Sequence, residues 1–587
     1  MKNITQNLSG LFQTAFKNAG FETDKITITP CTMIDMGDFQ CNDALSGAKK
    51  FGTAPRIIAQ KVVESLPQND IIQSAEVAGA GFINITLRDD FLAKALLNAA
   101  QTLNAPINYD TRKTIVDYGG PNVAKPLHVG HLRSGTIGES IKRICAAVGN
   151  STLGDVHFGD WGMPLGMVIS ELERLHPDWV YFDPGFTGEY PTNPPFTVKE
   201  IEDLYPTASK NAKADERLME IAHRATFELQ EGRRGYRALW AHIMTVSKNE
   251  VRRLYGILNI DFELWLGESD AHNLCRPMVE KIVGDGHAKI SQGATVVDVA
   301  EDGDKIDIPP CMLLKSDGAI TYATTDLATL MQREKDFGAN RVIYIVDQRQ
   351  GLHFTQVFRT ARKTGIVSPN LQLDFAGFGT MNGKDGKPYK TRDGGVMQLA
   401  TLIEEVRAMA TKKVQEAKEA TAYTAEEMAF IAEKVAVSAL KFADLSIFRA
   451  KDYIFDVEKF CSFEGKTGPY LLYTITRAKS ILRKAGYDAT TPYFNPAHCN
   501  RELLLALLAC KNEIVRAFDE LAPSVLCDYV YKIADKLGIS PDDLLAANPN
   551  LKDPSSINPG DVLNLPGSQT GESLRDKEIE NLKGLFI

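Results

Sequence analysis

The sequence predicts an α/β protein built on a doubly wound parallel sheet, with a smaller α/β domain before it and a helical bundle after it. Three observations carry that prediction. Residues 113–135, KTIVDYGGPNVAKPLHVGHLRSG, pass from a β-rich run, Lys113 to Tyr118, through the breakers Gly119, Gly120, Pro121 and Asn122 into an amphipathic stretch. That is a strand, a tight crossing and a helix N-terminus. From there to about residue 400, strand-like and helix-like segments alternate, as such a sheet requires. Beyond it the pattern is almost wholly helical to about residue 527.

At 587 residues the chain has room for three to five domains, taking about 150 residues for each. A hydrophobic fraction of 44% supplies ample core. An apolar run of about 18 residues and a basic-then-apolar leader are both lacking, so neither a membrane span nor a signal peptide is expected. The nine cysteines are dispersed without a CxxC pair. That pattern points to reduced thiols in the cytosol and away from a zinc site, and no resident metal is expected. A net charge of −9 does not advertise a nucleic-acid binder, although an acidic protein can still carry a local basic face.

In chain order, residues 1–110 read as a separate α/β domain. Leu8 to Phe16 and Ala54 to Leu66 have helical spacing, while Lys25 to Thr29 and AGAGFINITL, Ala78 to Leu87, read as strands. The helix that begins near His128 offers free backbone N–H groups and a positive dipole end, which suit phosphate. His128 and His131, three residues apart, are placed to donate hydrogen bonds to phosphate oxygens, and Gly130 between them lets a flat base approach the backbone. Next comes NSTLGDVHFGDWGMPLG, with His157, Asp160, Trp161 and Gly162 in a turn. Residues 165–260 are rich in charge and helix formers and read as an insertion whose charges are mostly a solvated face. Tyr322 and Asp326 share one helix face at i and i+4.

PNVAKPLHVGHLRS after a strand resembles the signature of class I aminoacyl-tRNA synthetases, and specifically of the arginyl-tRNA synthetases. The resemblance extends over about residues 1–530. It implies a Rossmann-type catalytic domain at 111–400, interrupted by the insertion, and a helical stem and anticodon-binding domain at 401–530. MGDFQCNDAL and GFINI resemble the N-terminal domain that docks on the tRNA elbow, which makes Phe82 and Asn84 candidates for holding a splayed base. GDWG resembles the second active-site loop, with Gly162 beside the adenylate. The implied reaction uses ATP with Mg²⁺ to activate L-arginine and then charges the 3′-terminal ribose of tRNA(Arg). The family's habit is a cytoplasmic monomer with no membrane partner.

Arginine presents a planar cation with five donors, so a selective pocket needs acceptors held in a fixed fork. At the family's motif positions stand Asn122, Glu268 of LGESD, Tyr322 and Asp326 of SDGAITYATTDLA, and Gln350 of YIVDQRQGLHFTQVF. By resemblance Asp326 pairs with the guanidinium, Tyr322 lines the pocket, and Glu268 and Gln350 fix the α-amino end and the stem. The KMSKS loop of the class is replaced by KPYKTRDGG, with Lys387, Lys390 and Arg392 as candidate cations. Lys125, ahead of HVGH, is the lysine on which members with a degenerate loop rely. CSFEGKTGPYLLYTITRAKSILRKAG resembles the start of the anticodon bundle, with Arg477 and Arg483 spaced to track phosphates.

The family pattern then fails. DYVYK begins as the bundle does, but the family's FNxFY-like helix and terminal helix are not visible. Lys532 to Pro566 instead resembles the later part of a LysM module without its GDTL opening, so 531–567 reads as a LysM-like segment and 568–587 as a tail. A chimeric join between Tyr529 and Asp535 is one expectation. Two other functions stand beside the synthetase: a catalytically silent tRNA binder, and a wall-binding protein that would need a secretion signal. Glutaminyl or cysteinyl activity is the alternative within the class.

Overall fold

Leu8, Phe12, Ala15 and Phe16 recur at three- and four-residue intervals, so the first helix, α1 (Ile4–Asn18), has an apolar face that it must bury. It does so in a unit formed by residues 1–105, 473–512 and 529–587. In this computed structural model residues 4–31, 34–389, 396–416, 424–484 and 500–537 are described. Four strands make an antiparallel sheet in the order β1-β2-β4-β3. They are β1 (Ile28–Pro30), β2 (Phe39–Cys41), β3 (Ile72–Ala78) and β4 (Phe82–Leu87). Helices α2 (Asp43–Phe51), α3 (Pro55–Glu64) and α4 (Asp89–Gln101) complete this part.

One guanidinium from far along the chain belongs to the same unit. Arg501 donates to both Asp38 oxygens at 2.6 and 2.7 Å, to Asp89 at 2.7 Å and to the Leu87 carbonyl at 2.6 Å. Arg501 and Asp38 are 463 positions apart in sequence, and local periodicity carries no trace of the pairing.

The second unit, residues 106–472 and 513–528, holds the parallel sheet. β5 (Lys113–Tyr118) leads through α5 (Val129–Val148) to β6 (Ser151–Asp155). The inserted stretch is helical: α6 (Met163–Leu175), α7 (Val198–Ala214), α8 (Glu216–Gln230) and α9 (Arg234–Ile257). α10 (Glu268–Gly284) precedes a small sheet of β7 (Lys289–Ser291), β8 (Ala294–Val297) and β9 (Cys311–Leu314). Then follow α11 (Tyr322–Lys335), β10 (Arg341–Ile345), α12 (Gly351–Thr364) and β11 (Gln372–Phe375). The main sheet is parallel throughout, ordered β11-β10-β5-β6. Its strands obey the period of two: Ile115, Val342 and Tyr344 feed one core, and Val116, Tyr118, Ile343 and Ile345 the other. α5 lies so close to β5 that a Cβ at Gly138 would stand 2.2 Å from the Tyr118 Cβ. That glycine is what lets the helix reach the strand.

The remaining elements are β12 (Met381–Asn382), α13 (Leu399–Glu416), α14 (Ala425–Leu445), β13 (Tyr453–Ile454), α15 (Val457–Phe460), α16 (Gly468–Lys484), α17 (Arg501–Leu508), α18 (Cys510–Asp519) and α19 (Ser524–Lys536). α19 runs without interruption across the expected join at Tyr529–Asp535. The LysM-like stretch beyond Leu537 and the tail lie outside the described residues.

Arg133, on α5, is 1% exposed and ties this helix to two others parts of the unit. Its Nε donates to Asp444 of α14 at 2.8 Å, and its Nη1 and Nη2 donate to the carbonyls of Gly379, Lys451 and Arg449 at 2.5, 3.2 and 3.2 Å. Arg133→Ala leaves Asp444 buried without its cation, so we expect a loss of about 3–5 kcal/mol, as for other broken buried ion pairs. Urea denaturation of the full chain, followed by intrinsic fluorescence, measures it.

Candidate active site

The N-terminus of α5 is capped by its own motif. The His128 Nδ1 accepts from the Gly130 backbone N–H at 3.0 Å, and the His131 Nδ1 accepts from the His128 backbone N–H at 2.9 Å. This is a reciprocal cap in which imidazoles do the work usually given to Ser and Glu. Because both Nδ1 atoms accept, each neutral ring carries its proton on Nε2 and offers that N–H outward. Desolvation, and then the Lys125 ammonium, pulls the His128 imidazole below its usual range. His131 lies well below it, through desolvation, His128 and Lys125. Gly130 has a local duty besides any contact with a base: a Cβ there would stand 2.8 Å from the His128 ring, which would push the ring off its cap.

Lys125 reaches this end of α5, with its ammonium 4.5 Å from the ring centroid of Tyr205 on α7. The PNVAKP loop is pinned to the GDWG loop by the Val123 N–H on the Gly159 carbonyl and the Gly159 N–H on the Pro121 carbonyl, both at 3.1 Å. Asn122 is exposed at this crossing. In the GDWG turn Asp160 is buried and structural. Its carboxylate accepts from the Ser269 N–H at 3.0 Å and the Ser269 hydroxyl at 2.6 Å, which fixes the first turn of α10. Two inserted helices hold the turn from the other side: Trp240 donates to the Asp160 carbonyl at 3.0 Å and Gln230 to the Trp161 carbonyl at 2.9 Å.

Glu268 opens α10, with its N–H on the Phe158 carbonyl at 3.0 Å. Burial, reinforced by the like charges of Asp160 and Asp326 and opposed by His157, lifts its carboxyl to about 7. Tyr322 and Asp326 stand one turn apart on α11. Tyr322 is 65% exposed, and its hydroxyl would lie 3.6 Å from a Cβ placed on Gly162. The Asp326 Oδ2 lies 2.5 Å from His353 Nε2 on α12. Gln350 immediately precedes that same helix and is exposed. The fold thus gathers Lys125, His128 and His131 at one helix end, and places Glu268, Tyr322 and Asp326 within mutual electrostatic reach.

Asp117, Asp155 and His157 bring three ligand-type atoms within 4.8 Å of one another. A guanidinium already occupies the carboxylates: Arg333 Nη2 donates to both Asp117 and Asp155 at 2.6 Å. Desolvation opposes the charge on His157, but the adjacent Asp155 carboxylate lifts its imidazole to about 9.

Lys387 is exposed on a tight turn closed by the Gly383 N–H on the Lys387 carbonyl at 2.8 Å. Lys390, Arg392 and the side chain of Arg483 lie outside the described residues. In the other unit Phe82 is half-buried, and Asn84 is buried with its carbonyl accepting from Gln40 at 2.8 Å. Arg477 there donates to the Tyr473 hydroxyl at 3.3 Å. Sequence reasoning missed Tyr205, Arg333 and the part played by His353. Only His353 left a signal, standing three residues after Gln350 in the same motif.

Comparison with known proteins gives one family for most of the chain. The model for the catalytic domain of class I (R) tRNA synthetases matches residues 92–457, and that for the arginyl tRNA synthetase N-terminal domain matches 2–87. A DALR anticodon-binding domain matches 471–538 and a LysM domain 528–566. An arginine–tRNA ligase of Agathobacter rectalis is 48% identical over 551 residues, covering 91% of this chain and 92% of that one. That of Alkaliphilus oremlandii is 46% identical over 541 residues, with the same coverage of 91% and 92%. The fold is that of the arginyl-tRNA synthetase of Thermus thermophilus, at a TM-score of 0.75 and 22% identity over 99% of this chain and 97% of that one. The Plasmodium falciparum arginyl-tRNA synthetase superposes at 0.74, with 24% identity and 91% coverage of both chains. The chain belongs to the arginyl-tRNA synthetase family, within class I of the aminoacyl-tRNA synthetases.

Proposed function

We propose that the capped end of α5 and the acidic pocket of α10–α12 carry out arginine–tRNA ligation, the activity of the family. In the first step the arginine carboxylate attacks the α-phosphate of ATP, giving arginyl-adenylate and pyrophosphate. In the second, the 2′-OH of the terminal tRNA ribose attacks the adenylate carbonyl. No covalent nucleophile from the protein is needed, and catalysis is positioning and charge stabilisation. The observation that carries this reading is the reciprocal cap, which leaves two Nε2–H donors beside the positive end of a helix.

His128 and His131 hold the α-phosphate oxygens as negative charge builds on them. Lys125 leaves Tyr205 for the departing phosphates, supplying the cation that a KMSKS loop would supply, with Lys387 and the Lys390–Arg392 segment in support. Magnesium comes with the nucleotide as part of the substrate. The donors at this end of α5, two imidazoles and an ammonium, suit phosphate oxygens rather than a bare cation. Asp326 takes the guanidinium, Tyr322 lines its path, and Glu268, Gln350 and Asn122 hold the α-amino end and stem. Phe82, Asn84, Arg477 and Arg483 are offered to tRNA(Arg). We place the reaction in the cytoplasm, carried out by a monomer. The described cysteines are all free thiols, and no described helix is long and apolar enough to cross a membrane.

Arginine-dependent ATP–pyrophosphate exchange, with and without tRNA(Arg), tests the assignment. We expect exchange that needs tRNA and is specific for arginine, and its absence in both conditions would refute the reading. His131→Ala should lower the exchange rate by about 100-fold or more, the scale of losing a transition-state donor, with the arginine KM little changed. Glu268 gives a pH signature. Its carboxyl is raised to about 7, so it becomes competent to hold an ammonium only as pH rises through that value. The arginine KM should therefore fall between pH 6 and 8, and Glu268→Gln should flatten that dependence.

A further inference from the structure

The Asp326 carboxylate already has a hydrogen-bond partner in the free protein. Among the described residues, its only hydrogen-bond partner is the His353 ring, 2.5 Å from Nε2 to Oδ2. The two side chains are 24% and 31% exposed, so the pair is neither sealed in the core nor loose on the surface. It joins two elements packed side by side, α11 and α12. His353 lies in the first turn of α12, three residues after Gln350, the residue that precedes the helix. Its ring is set edge-on to Phe354, with centroids 5.2 Å apart and planes at 84°.

We infer that His353 is the positioning residue for guanidinium recognition: it fixes the Asp326 carboxylate so that the substrate's fork meets acceptors in a preset plane. The inference rests on the proposal that Asp326 takes the guanidinium. A free aspartate at a helix surface turns about χ1 and χ2, and a bidentate contact must first overcome that freedom. One N–H on Oδ2 removes it, yet a carboxylate has about four lone-pair sites. Oδ1 and the second lone pair of Oδ2 stay open to two guanidinium N–H groups. A histidine suits this duty better than a permanent cation. Lysine or arginine at 353 would bring several donors and a permanent cation to compete with the substrate's fork, whereas an imidazole presents a single ring N–H to the carboxylate.

The geometry separates His353 from the phosphate chemistry. It bonds to no residue at the α5 cap, so its loss should move arginine recognition and leave the ATP step in place. The test uses the full chain in tRNA-supported ATP–pyrophosphate exchange, with the arginine KM, the ATP KM and kcat measured separately. His353→Ala should raise the arginine KM about tenfold, the scale of one lost hydrogen bond to a charged group, with kcat and the ATP KM little changed. Glutamine can place an amide N–H near the position of Nε2, so His353→Gln should restore most of the loss. Asparagine is too short to reach, so His353→Asn should behave like the alanine variant. In a double-mutant cycle, His353→Ala should add little to the defect of Asp326→Asn, because the histidine acts through that carboxylate. If Asp326→Asn raises the KM while His353→Ala does not, the inference fails and the pocket assignment stands. Fully multiplicative defects would also overturn it. An unchanged KM in Asp326→Asn would overturn the pocket assignment and this inference together.

Discussion

The end of the parallel sheet depends on one buried cation. β5 and β6 pair in a register that puts Asp117 directly opposite Asp155, on the same face of the sheet. Two carboxylates opposed inside a core would push the strands apart. Arg333, 0% exposed on α11, answers both through a single Nη2, with its guanidinium 5.2 Å from the ring centroid of Tyr344. Among the described residues its Nε and Nη1 have no hydrogen-bond partner. Burial opposes the charge on Asp155, but Arg333 prevails and holds it well below the usual carboxylate range. Everything chemical leaves from this point. β5 runs on into PNVAKP and the capped helix, β6 into the GDWG loop, and α11 brings Tyr322 about three turns and Asp326 about two turns before Arg333. The three pieces of the site are placed relative to one another by one ionic knot.

Arg133 does for the phosphate end what Arg333 does for the pocket. It sits five residues into α5, and its guanidinium is spent on the carbonyls of Gly379, Arg449 and Lys451 and on Asp444 of the helical stem. The segment that begins at Gly379 leads through β12, which pairs with β13, into the turn that carries Lys387. The helix that offers His128 and His131 is thus anchored to the loop that offers a lysine and to the stem behind it. A shift of α14 would have to break a buried ion pair or carry α5 with it. Discrete alternatives of that kind are how a packed core transmits a distant event.

What could be read from the sequence was whatever depends on near neighbours. HVGH after a strand announces a helix start, and Tyr322 with Asp326 announces a shared face, because both follow from helical geometry over a few residues. The alternation of strands and helices gave the parallel sheet for the same reason. What was illegible depends on register and packing. Asp117 and Asp155 become one site only once β5 and β6 are paired, and Arg333 joins them from 216 and 178 positions away. Arg501 is more remote still from Asp38. Tyr205 carries no mark within a charged insertion, and it meets Lys125 only when α7 folds back. Gly130 was legible as necessary, but the His128 ring that a Cβ would strike is visible only once the cap is formed.

The C-terminal ambiguity has a physical origin of the same sort. The DALR and LysM matches both include residues 528–538, and the fold shows what that shared stretch does. Ile533 and Leu537 are buried with Ala506 and Leu507 of α17, and Tyr529 and Leu96 pack against them. Tyr529 and Ile533 of α19 and Leu537 just past its end fall at i, i+4 and i+8, a stripe along one side. A helix in a bundle asks of its sequence only such a stripe and polar residues elsewhere. Two unrelated family patterns can therefore be satisfied by the same eleven residues. A join at Tyr529–Asp535 would leave no break in the helix, because the apolar repeat continues through it with its period intact.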